Sequence, residues 1–329
     1  MAHPPTLGVV GTLVWDRIHR RDGRDVPVEE WGGIAYALSA LRSALPDEWR
    51  ILPMLKIGRD LSEQALRFLR GIPGMDLSAV QVVPEPNNRV ELHYQTEEKR
   101  VERLVGGVPP WSWPELAPAL DLCDALYVNF ISGFEMELAT AQAVRTGFTG
   151  PTYADLHSLF LGVGRQGTRV PQELPHWGQW LRCFDGVQMN EDEFELLGRA
   201  WGDPWQLAAD SVGPELRLIA VTLGARGAAY VVASDFHPDP HSWRRGPGEV
   251  ALAGSARSGR VTSVGLARSG DPTGCGDVWG ATLFSRLLLG DELEAAMGEA
   301  NRLAARNVEH RGATGLYRHL AGRLSRVEE

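Results

Sequence analysis

The chain has 329 residues, 43% of them hydrophobic and 23% charged, which are ordinary values for a protein with a full core and exclude a disordered or fibrous chain. A formal charge of −9 disfavours a nucleic-acid or anionic-membrane surface, because both attract a basic excess. The cysteines Cys123, Cys183 and Cys275 are odd in number and widely spaced, so they predict neither a disulfide framework nor a zinc site.

The first residues predict no targeting signal. After residues 1–6 the apolar run is only about five residues long, whereas a secretory signal needs about 7–15 apolar residues. No stretch approaches the ~20 apolar residues of a membrane span. We therefore expect a cytoplasmic protein that binds neither a membrane nor a nucleic acid.

Short apolar runs alternate with helical patterns along most of the chain. The runs predict buried strands at residues 7–10, 51–57, 125–128, 186–189 and 218–222. The patterns between them predict helices at residues 34–43, 61–70, 135–145 and 191–199. This alternation is typical of an α/β fold with a mostly parallel sheet covered on both faces. No internal repeat or low-complexity linker divides the chain, so we expect a single domain over residues 1–329.

One segment has a different pattern. Residues 89–95 and 100–105 alternate polar and apolar side chains, which predicts a half-exposed antiparallel hairpin. The polar residues 14–30 can add another strand to it. We expect segments 14–30 and 86–106 to form a small sheet that projects from the α/β body, either as a lid over a site or as a solvated hairpin.

A glycine-rich turn comes before a long apolar helix in the C-terminal part of the chain. The turn is Asp271-Pro-Thr-Gly-Cys-Gly-Asp277, and the predicted helix follows at residues 278–289. Such a turn directs several free backbone N–H groups toward one point, where the helix dipole also favours negative charge. It therefore predicts a phosphate site, although an aspartate in the first turn of a helix is also favourable on electrostatic grounds alone.

This turn resembles the second signature of the ribokinase-like (PfkB-type) carbohydrate kinases, Asp-Thr-x-Gly-Ala-Gly-Asp before a long helix. Further motifs resemble those of the family and follow in its order. They are Gly11–Asp16 with Gly32-Gly33, Gly58-Arg59-Asp60, Asn190-Glu-Asp-Glu193, Thr222-Leu-Gly224-Ala-Arg-Gly227, and Ala300-Asn301 with Gly312-Ala313. The resemblance covers most of residues 7–315. It implies a three-layer α/β/α fold with a small β-sheet lid.

The resemblance implies ATP-dependent transfer of a phosphoryl group to a hydroxyl of a small sugar, sugar acid or polyol. Asp277 would be the general base, and the N–H groups of Gly274, Cys275 and Gly276 would form the anion hole. Phosphoryl transfer requires mainly positioning and charge neutralisation, which backbone dipoles, a metal and one base supply.

The resemblance also implies the ligand contacts on either side of the base. On the donor side, Asn190 and Glu193 would hold Mg²⁺ through water, Thr222, Gly224 and Gly227 would line the ATP phosphates and ribose, and Asn301 would lie near the adenine. On the acceptor side, Asp16, Gly32 and Gly33 would hold substrate hydroxyls. A carboxylate such as Asp16 suits this role because it can accept two hydroxyl protons.

Two departures from the family pattern lie in the turn itself. Pro272 replaces the usual threonine and lacks an N–H group, but the implied anion hole uses only residues 274–276. Cys275 replaces alanine. We interpret it as a compact packing residue, because no histidine partner for a catalytic thiol is evident.

Two further departures affect the ligands. Ala37 stands where many relatives have an asparagine that helps to bind substrate, so the substrate cannot be carried over from the family. Some relatives bind K⁺ beside the turn, where Asp271 and Thr273 match part of the site. Leu316, however, stands where an oxygen donor would be expected, so potassium dependence is open.

Three other functions compete with the carbohydrate kinase. A nucleoside kinase on the same fold could use Trp15, Tyr36 and Phe130 as stacking surfaces. A non-catalytic ligand-binding or regulatory protein is an alternative, but it has no need of Asp277 facing an anion hole. A dehydrogenase is disfavoured because Gly-x-Gly-x-x-Gly is absent after the first strand. Lids of this family sometimes pair between subunits, so a homodimer is open.

Two more groups of residues each have two interpretations. Asp235, His237, Asp239 and His241 alternate as metal ligands could, but their proline- and arginine-rich surroundings predict an exposed loop within an insertion at 234–262. The segment Asp155–His157 ends a strand at the edge where α/β sheets bind ligands. His157 is therefore either a substrate contact or a hydrogen-bonded loop residue.

Overall fold

The computed structural model describes residues 4–19, 28–94, 100–199, 201–244, 255–263 and 270–322. Its strands are β1 (Thr6–Val10), β2 (Leu13–His19), β3 (Val28–Gly33), β4 (Arg50–Met54), β5 (Lys56–Gly58), β6 (Gln81–Val83), β7 (Arg89–Tyr94), β8 (Arg100–Val105), β9 (Ala125–Asn129), β10 (Thr152–Asp155), β11 (Leu161–Val163), β12 (Arg169–Pro171), β13 (Gly186–Asn190), β14 (Leu218–Thr222), β15 (Ala228–Val232) and β16 (Arg257–Val261). Its α-helices are α1 (Ile34–Ala44), α2 (Ser62–Arg70), α3 (Trp113–Leu120), α4 (Leu138–Gly147), α5 (Trp177–Leu181), α6 (Glu191–Gly198), α7 (Pro204–Ser211), α8 (Cys275–Leu288), α9 (Leu293–Asn307) and α10 (Leu316–Leu320).

The described residues form one main sheet of eight strands, in the order β16-β15-β14-β13-β10-β9-β1-β4. Neighbours from β14 to β4 pair in parallel, and β15 and β16 extend the sheet antiparallel. The mostly parallel sheet is therefore confirmed. Strand β16 lies within the segment 234–262 that the sequence suggested was an insertion, so part of that segment belongs to the main sheet. Residues 245–254 of it lie outside the described ranges.

Helices cover both faces of the main sheet. Alternate strand residues point to opposite faces, so Leu126 and Val128 pack toward α3 to α7, whereas Ala125 and Tyr127 pack toward α1, α8, α9 and α10. This arrangement confirms the three-layer α/β/α fold. Within the described ranges, none of the helices combines the length and the hydrophobicity that crossing a bilayer requires.

Two predicted elements differ from the structure at their ends. The apolar run at 51–57 divides at Leu55, because β4 joins the main sheet while β5 pairs with β6. The helix predicted at 135–145 begins only at Leu138. Its first residue, Glu135, is instead a buried acceptor for the Thr12 hydroxyl at 2.6 Å and the Ser132 N–H at 2.7 Å. That side chain fixes the loop after β9 to the loop after β1.

A second, smaller sheet has the order β3-β2-β7-β8 and mixed pairing, which confirms the predicted small sheet. Its inner face carries Val14, Val90 and Leu92, which are buried against Leu104 and Ile131. Residues 20–27 and 95–99, at the ends of the predicted lid segments, lie outside the described residues. The inner face of this sheet lines the cavity described below.

Candidate active site

Four adjacent strands of the main sheet end in polar residues at one edge. Strands β9, β10, β13 and β14 end at Asn129, Asp155, Asn190 and Thr222. Because these strands are parallel neighbours, their carboxyl ends meet at the same edge, which is where open α/β sheets bind ligands. A cavity of about 800 Å³ opens there, between the edge and the small sheet.

Helix α8 begins in this cavity with Gly274 as its N-cap residue. The Cys275 N–H donates to the Pro272 carbonyl at 3.1 Å, so Cys275 contributes no free donor. Among the described residues, the N–H groups of Gly274, Gly276 and Asp277 have no hydrogen-bond partner. The open donors are thus at positions 274, 276 and 277. They include two of the three residues that the resemblance implied, with Asp277 in place of Cys275. Together with the helix dipole they can hold an anion.

Two strand residues that the sequence analysis missed hold the first turn of α8. The Asn129 Nδ2 group donates to Asp277 Oδ1 at 2.8 Å, and the Gln188 Nε2 group donates to the Gly276 carbonyl at 3.0 Å. Both side chains are buried within or at the end of apolar strands. A buried polar residue in such a strand was the signal available in the sequence, because burial without a partner is costly.

The buried position of Asp277 raises the pKa of its carboxyl group. Burial raises the pKa of Asp277 to about 6, although the Asn129 hydrogen bond and the nearby His157 both act to lower it. A carboxylate with a pKa near neutrality is a stronger base than an ordinary surface aspartate. Asp277 is therefore ionised above about pH 6 and can accept a proton there.

His157 and Asp155 both line the cavity and both make hydrogen bonds. The His157 Nδ1 atom lies 2.5 Å from Glu193 Oε1, and the Asp155 carboxylate accepts from the Gln188 Nε2 group at 3.0 Å. Burial alone would lower the pKa of His157, but Glu193 and the other carboxylates raise it to about 10. Burial and Asp277 raise the pKa of Asp155 to about 8. His157 thus supplies positive charge to a cavity whose described lining has no lysine or arginine.

The carboxylates of the cavity suit Mg²⁺, which prefers oxygen ligands and keeps several of its waters. Asn190 and Glu193 form a capping box at the start of α6, where Glu193 accepts from the Asn190 N–H at 2.8 Å and the Asn190 Nδ2 group at 2.6 Å. Glu193 Oε1 also contacts His157, so only Oε2 keeps capacity for a metal-bound water. No group of three close metal ligands occurs in the described part of the chain. The residues therefore fit Mg²⁺ held through water rather than in a protein cage.

The donor-side residues implied by the resemblance lie together. Thr222 ends β14, Gly224 and Gly227 lie in the turn between β14 and β15, and all three line the cavity. Asn301 lines it too, but its side-chain amide is used within the protein. Its Oδ1 atom accepts from the Trp279 Nε1–H at 2.8 Å, and its Nδ2 group donates to the Val261 carbonyl at 3.3 Å. Asn301 therefore holds the wall of the cavity in place and offers no free polar group to an adenine ring.

We call the opposite part of the cavity the lid half. Its described lining comes from the small sheet, from the start of α1 and from the loop after β9, and comprises Val14, Asp16, Gly33, Tyr36, Val90, Leu92, Glu102 and Ile131. Asp16 and Gly33 thus lie where the resemblance implied. Gly32 does not line the cavity. The Asp16 carboxylate packs directly on it, because a Cβ atom at position 32 would lie 1.8 Å from an oxygen of this carboxylate.

The structure also places the other residues that the sequence analysis singled out. Of the three aromatic candidates for stacking, only Tyr36 lines the cavity, whereas Trp15 packs on Trp31 at 4.8 Å between ring centroids and Phe130 is buried in the core. Burial raises the pKa of the Cys275 thiol to about 11, which agrees with a packing role.

The region of the K⁺ site that the family suggested is partly occupied by protein contacts. The Thr273 carbonyl accepts from the Asn307 Nδ2 group at 2.8 Å, and the Asp271 carboxylate accepts from the Thr273 N–H at 2.9 Å. Leu316 is fully buried. Dependence on K⁺ stays a prediction.

The alternating acidic and histidine residues at 235–241 do not gather around one point. Asp235 pairs with Arg217 at 2.6 Å, and Asp239 caps a short 3-10 turn by accepting from the His241 N–H at 2.9 Å. No cluster of three potential ligands forms there among the residues that are described. The segment therefore behaves as the loop that its prolines predicted.

No protein-family model matches the sequence, and no curated protein is significantly similar to it. Many solved structures share its fold. A nucleoside kinase from Burkholderia thailandensis in complex with inosine has a TM-score of 0.67 at 16% identity, with 97% of this chain and 96% of that one aligned.

Two further structures differ from that kinase in their ligands. Arabidopsis thaliana ribokinase with ribose and ATP has a TM-score of 0.64 at 17% identity, over 98% of this chain and 99% of that one. A sulfate complex of a pyrophosphate-dependent kinase in the ribokinase family has a TM-score of 0.67 at 16% identity, over 94% and 96%. At these identities the similarity concerns the architecture, and the chain has the fold of the ribokinase family.

Proposed function

We propose that this protein is a kinase that transfers a phosphoryl group from ATP to a hydroxyl of a small sugar, sugar acid or polyol. The observation that carries the proposal is the start of α8, where Asp277 lies beside unpaired N–H groups in a cavity shared by the β14–β15 turn and the small sheet. A protein that only binds ligands has no need of a base with a raised pKa at such an anion site.

The residues of the site divide the chemistry between them. Asp277 accepts the proton of the attacking hydroxyl, while Asn129 holds its Oδ1 atom and so orients the other carboxylate oxygen. The N–H groups of Gly274, Gly276 and Asp277 stabilise the charge on the transferred group. Mg²⁺ held through water near Asn190 and Glu193 would neutralise charge on the donor phosphates. The small sheet excludes water, which would otherwise compete as the phosphoryl acceptor.

A nucleoside is the second candidate for the acceptor. The lid half has an apolar wall formed by Val14, Val90, Leu92 and Ile131. A nucleobase would pack its apolar ring faces against this wall, whereas a small sugar has little apolar surface to place there. The similarity to a nucleoside kinase that binds inosine supports this candidate.

An assay of donor and acceptor pairs tests the proposal. We expect ADP release from ATP and Mg²⁺ that depends on one member of a panel of ribose, gluconate, glycerol, inosine and related compounds. Faster turnover of inosine than of ribose would favour the nucleoside. Turnover with pyrophosphate but not ATP would contradict the proposed donor. If no acceptor is turned over and ATP does not bind to the same sample, the kinase proposal is wrong.

The pH dependence of the reaction should reflect Asp277. Because the ionised carboxylate is the active form, we expect kcat/KM to be constant above about pH 6 and to fall about tenfold per pH unit below it. The measurement is kcat/KM for the acceptor between pH 5 and pH 8, with thermal unfolding followed over the same range as the control for folding. A kcat/KM that stays constant down to pH 5, as expected for an aspartate of ordinary pKa, would contradict the raised pKa of Asp277.

A further inference from the structure

Tyr36 lies at the junction between the lid half and the anion site. It is the third residue of α1, and only 2% of its surface is exposed, although it lines the cavity. Its ring packs directly on Gly274, because a Cβ atom at position 274 would lie 2.2 Å from the Tyr36 Cγ atom. The small exposed part of the side chain therefore faces the site where acceptor and phosphoryl group would meet.

The hydroxyl of Tyr36 makes no hydrogen bond with any residue that the structure describes, and it is not among the fully buried polar atoms that lack a partner. It therefore keeps access to the cavity. Burial and the nearby carboxylates of Asp16, Glu30, Asp271 and Asp277 raise the pKa of Tyr36 above its usual range. The phenol consequently stays protonated and can donate one hydrogen bond to a ligand.

The other polar side chains of the lid half are of a different kind. Asp16 and Glu102 are carboxylates, which accept hydrogen bonds when ionised but donate none. A polyhydroxylated acceptor, however, presents oxygen lone pairs as well as O–H groups. Ala37, at the position where many relatives have an amide, is fully buried in the core and offers nothing to a ligand. Tyr36 is thus the side-chain donor in the described lining of the lid half.

We infer that the Tyr36 hydroxyl donates a hydrogen bond to an oxygen of the acceptor and so determines which hydroxylated molecules bind beside Asp277. This inference rests on the proposed kinase function. A site built to hydrogen-bond a substrate oxygen disfavours the analogue that lacks it, because the protein group is then left unpaired. Tyr36 would therefore select acceptors by an oxygen next to the hydroxyl that is phosphorylated.

Tyr36→Phe tests the inference because it removes only the hydroxyl and keeps the ring on Gly274. With the panel member that the unmodified chain turns over fastest, we expect KM for the acceptor to rise about three- to tenfold, while kcat and KM for ATP change less than about twofold. Tyr230→Phe is the matched control. Tyr230 lies on β15 outside the cavity, and its hydroxyl donates to Glu294 at 2.8 Å. The KM for the acceptor and kcat should therefore stay unchanged in this variant.

Monodeoxy analogues of the same acceptor separate a contact from a structural effect. The analogue that lacks the oxygen contacted by Tyr36 should bind the unmodified chain and Tyr36→Phe equally well, because it cannot form this hydrogen bond with either protein. An unchanged KM for the full acceptor, or the same loss with every analogue, would overturn the inference while leaving the kinase activity established. If the unmodified chain turns over no panel member and does not bind ATP, the proposed function fails instead, and the inference fails with it.

Discussion

We expect the replacement of Asp277 with asparagine to lower kcat of the proposed reaction by about 10²-fold or more, which is the lower end expected for loss of a general base. Asparagine keeps the shape of the side chain and an oxygen that can accept from Asn129 Nδ2, so the first turn of α8 should remain in place. The amide has no basic oxygen for the acceptor proton. The loss should therefore appear in kcat and in kcat/KM alike, with little change in the binding of either substrate.

The same substitution should make the protein more stable at neutral pH. The pKa of Asp277 is raised from 3.8 to about 6 in the fold, so its contribution to stability is full below about pH 4 and is lost as the pH rises through about 6. Asparagine does not ionise and avoids this loss. We expect the midpoint of thermal unfolding to rise by about 2–4 °C at neutral pH, and the difference to vanish near pH 4.

Steady-state kinetics and thermal unfolding of both proteins check these two expectations. Asp121→Asn is a suitable control, because this aspartate is exposed, directly follows α3 and does not line the cavity. It should change neither activity nor stability. If Asp277→Asn keeps its activity within about threefold of the unmodified chain, Asp277 is not the base. If Asp277→Asn is less stable at neutral pH, the carboxylate of Asp277 is a structural partner and not a functional group that lowers stability.

Much of the fold could be predicted from the sequence because each signal was local. Apolar runs of four or five residues predicted β1, β9, β13 and β14, and the glycine-rich turn predicted the start of α8. The residues that hold this turn were harder to find. Asn129 and Gln188 are polar residues in largely apolar strands, and only the parallel order of β9, β10 and β13 brings them beneath α8. That order depends on contacts between distant parts of the chain.

The lid half shows a different limit of sequence reasoning. Ala37 lacks the hydrogen-bonding group that many relatives have at this position, but the sequence does not indicate what replaces that group. Successive helical residues point about 100° apart, so Ala37 can face the core while Tyr36 faces the cavity. Which of two neighbours faces a ligand depends on how α1 is rotated against α8. The packing of Tyr36 on Gly274 is one of the contacts between α1 and α8 that set this rotation.

Gly274→Ala should severely impair the proposed activity, because this position combines an unusual backbone conformation with a close contact. Its φ of +77° lies in the left-handed region, where a side chain costs about 1–2 kcal/mol. The new Cβ atom would also lie 2.2 Å from the buried Tyr36 ring, so the turn itself must shift. Displacing the N–H groups by even about 1 Å can cost about 10²-fold in rate, so we expect kcat/KM to fall by at least that factor.

Gly290→Ala at the other end of α8 separates the two causes. Gly290 has a φ of +87°, but a Cβ atom there would meet nothing within 4 Å. This control should lose only the backbone contribution of about 1–2 kcal/mol in urea unfolding and keep its activity. Gly274→Ala should lose clearly more stability and nearly all activity. Equal losses of stability in the two variants, with activity retained in both, would mean that the contact between Tyr36 and Gly274 does not position the anion site.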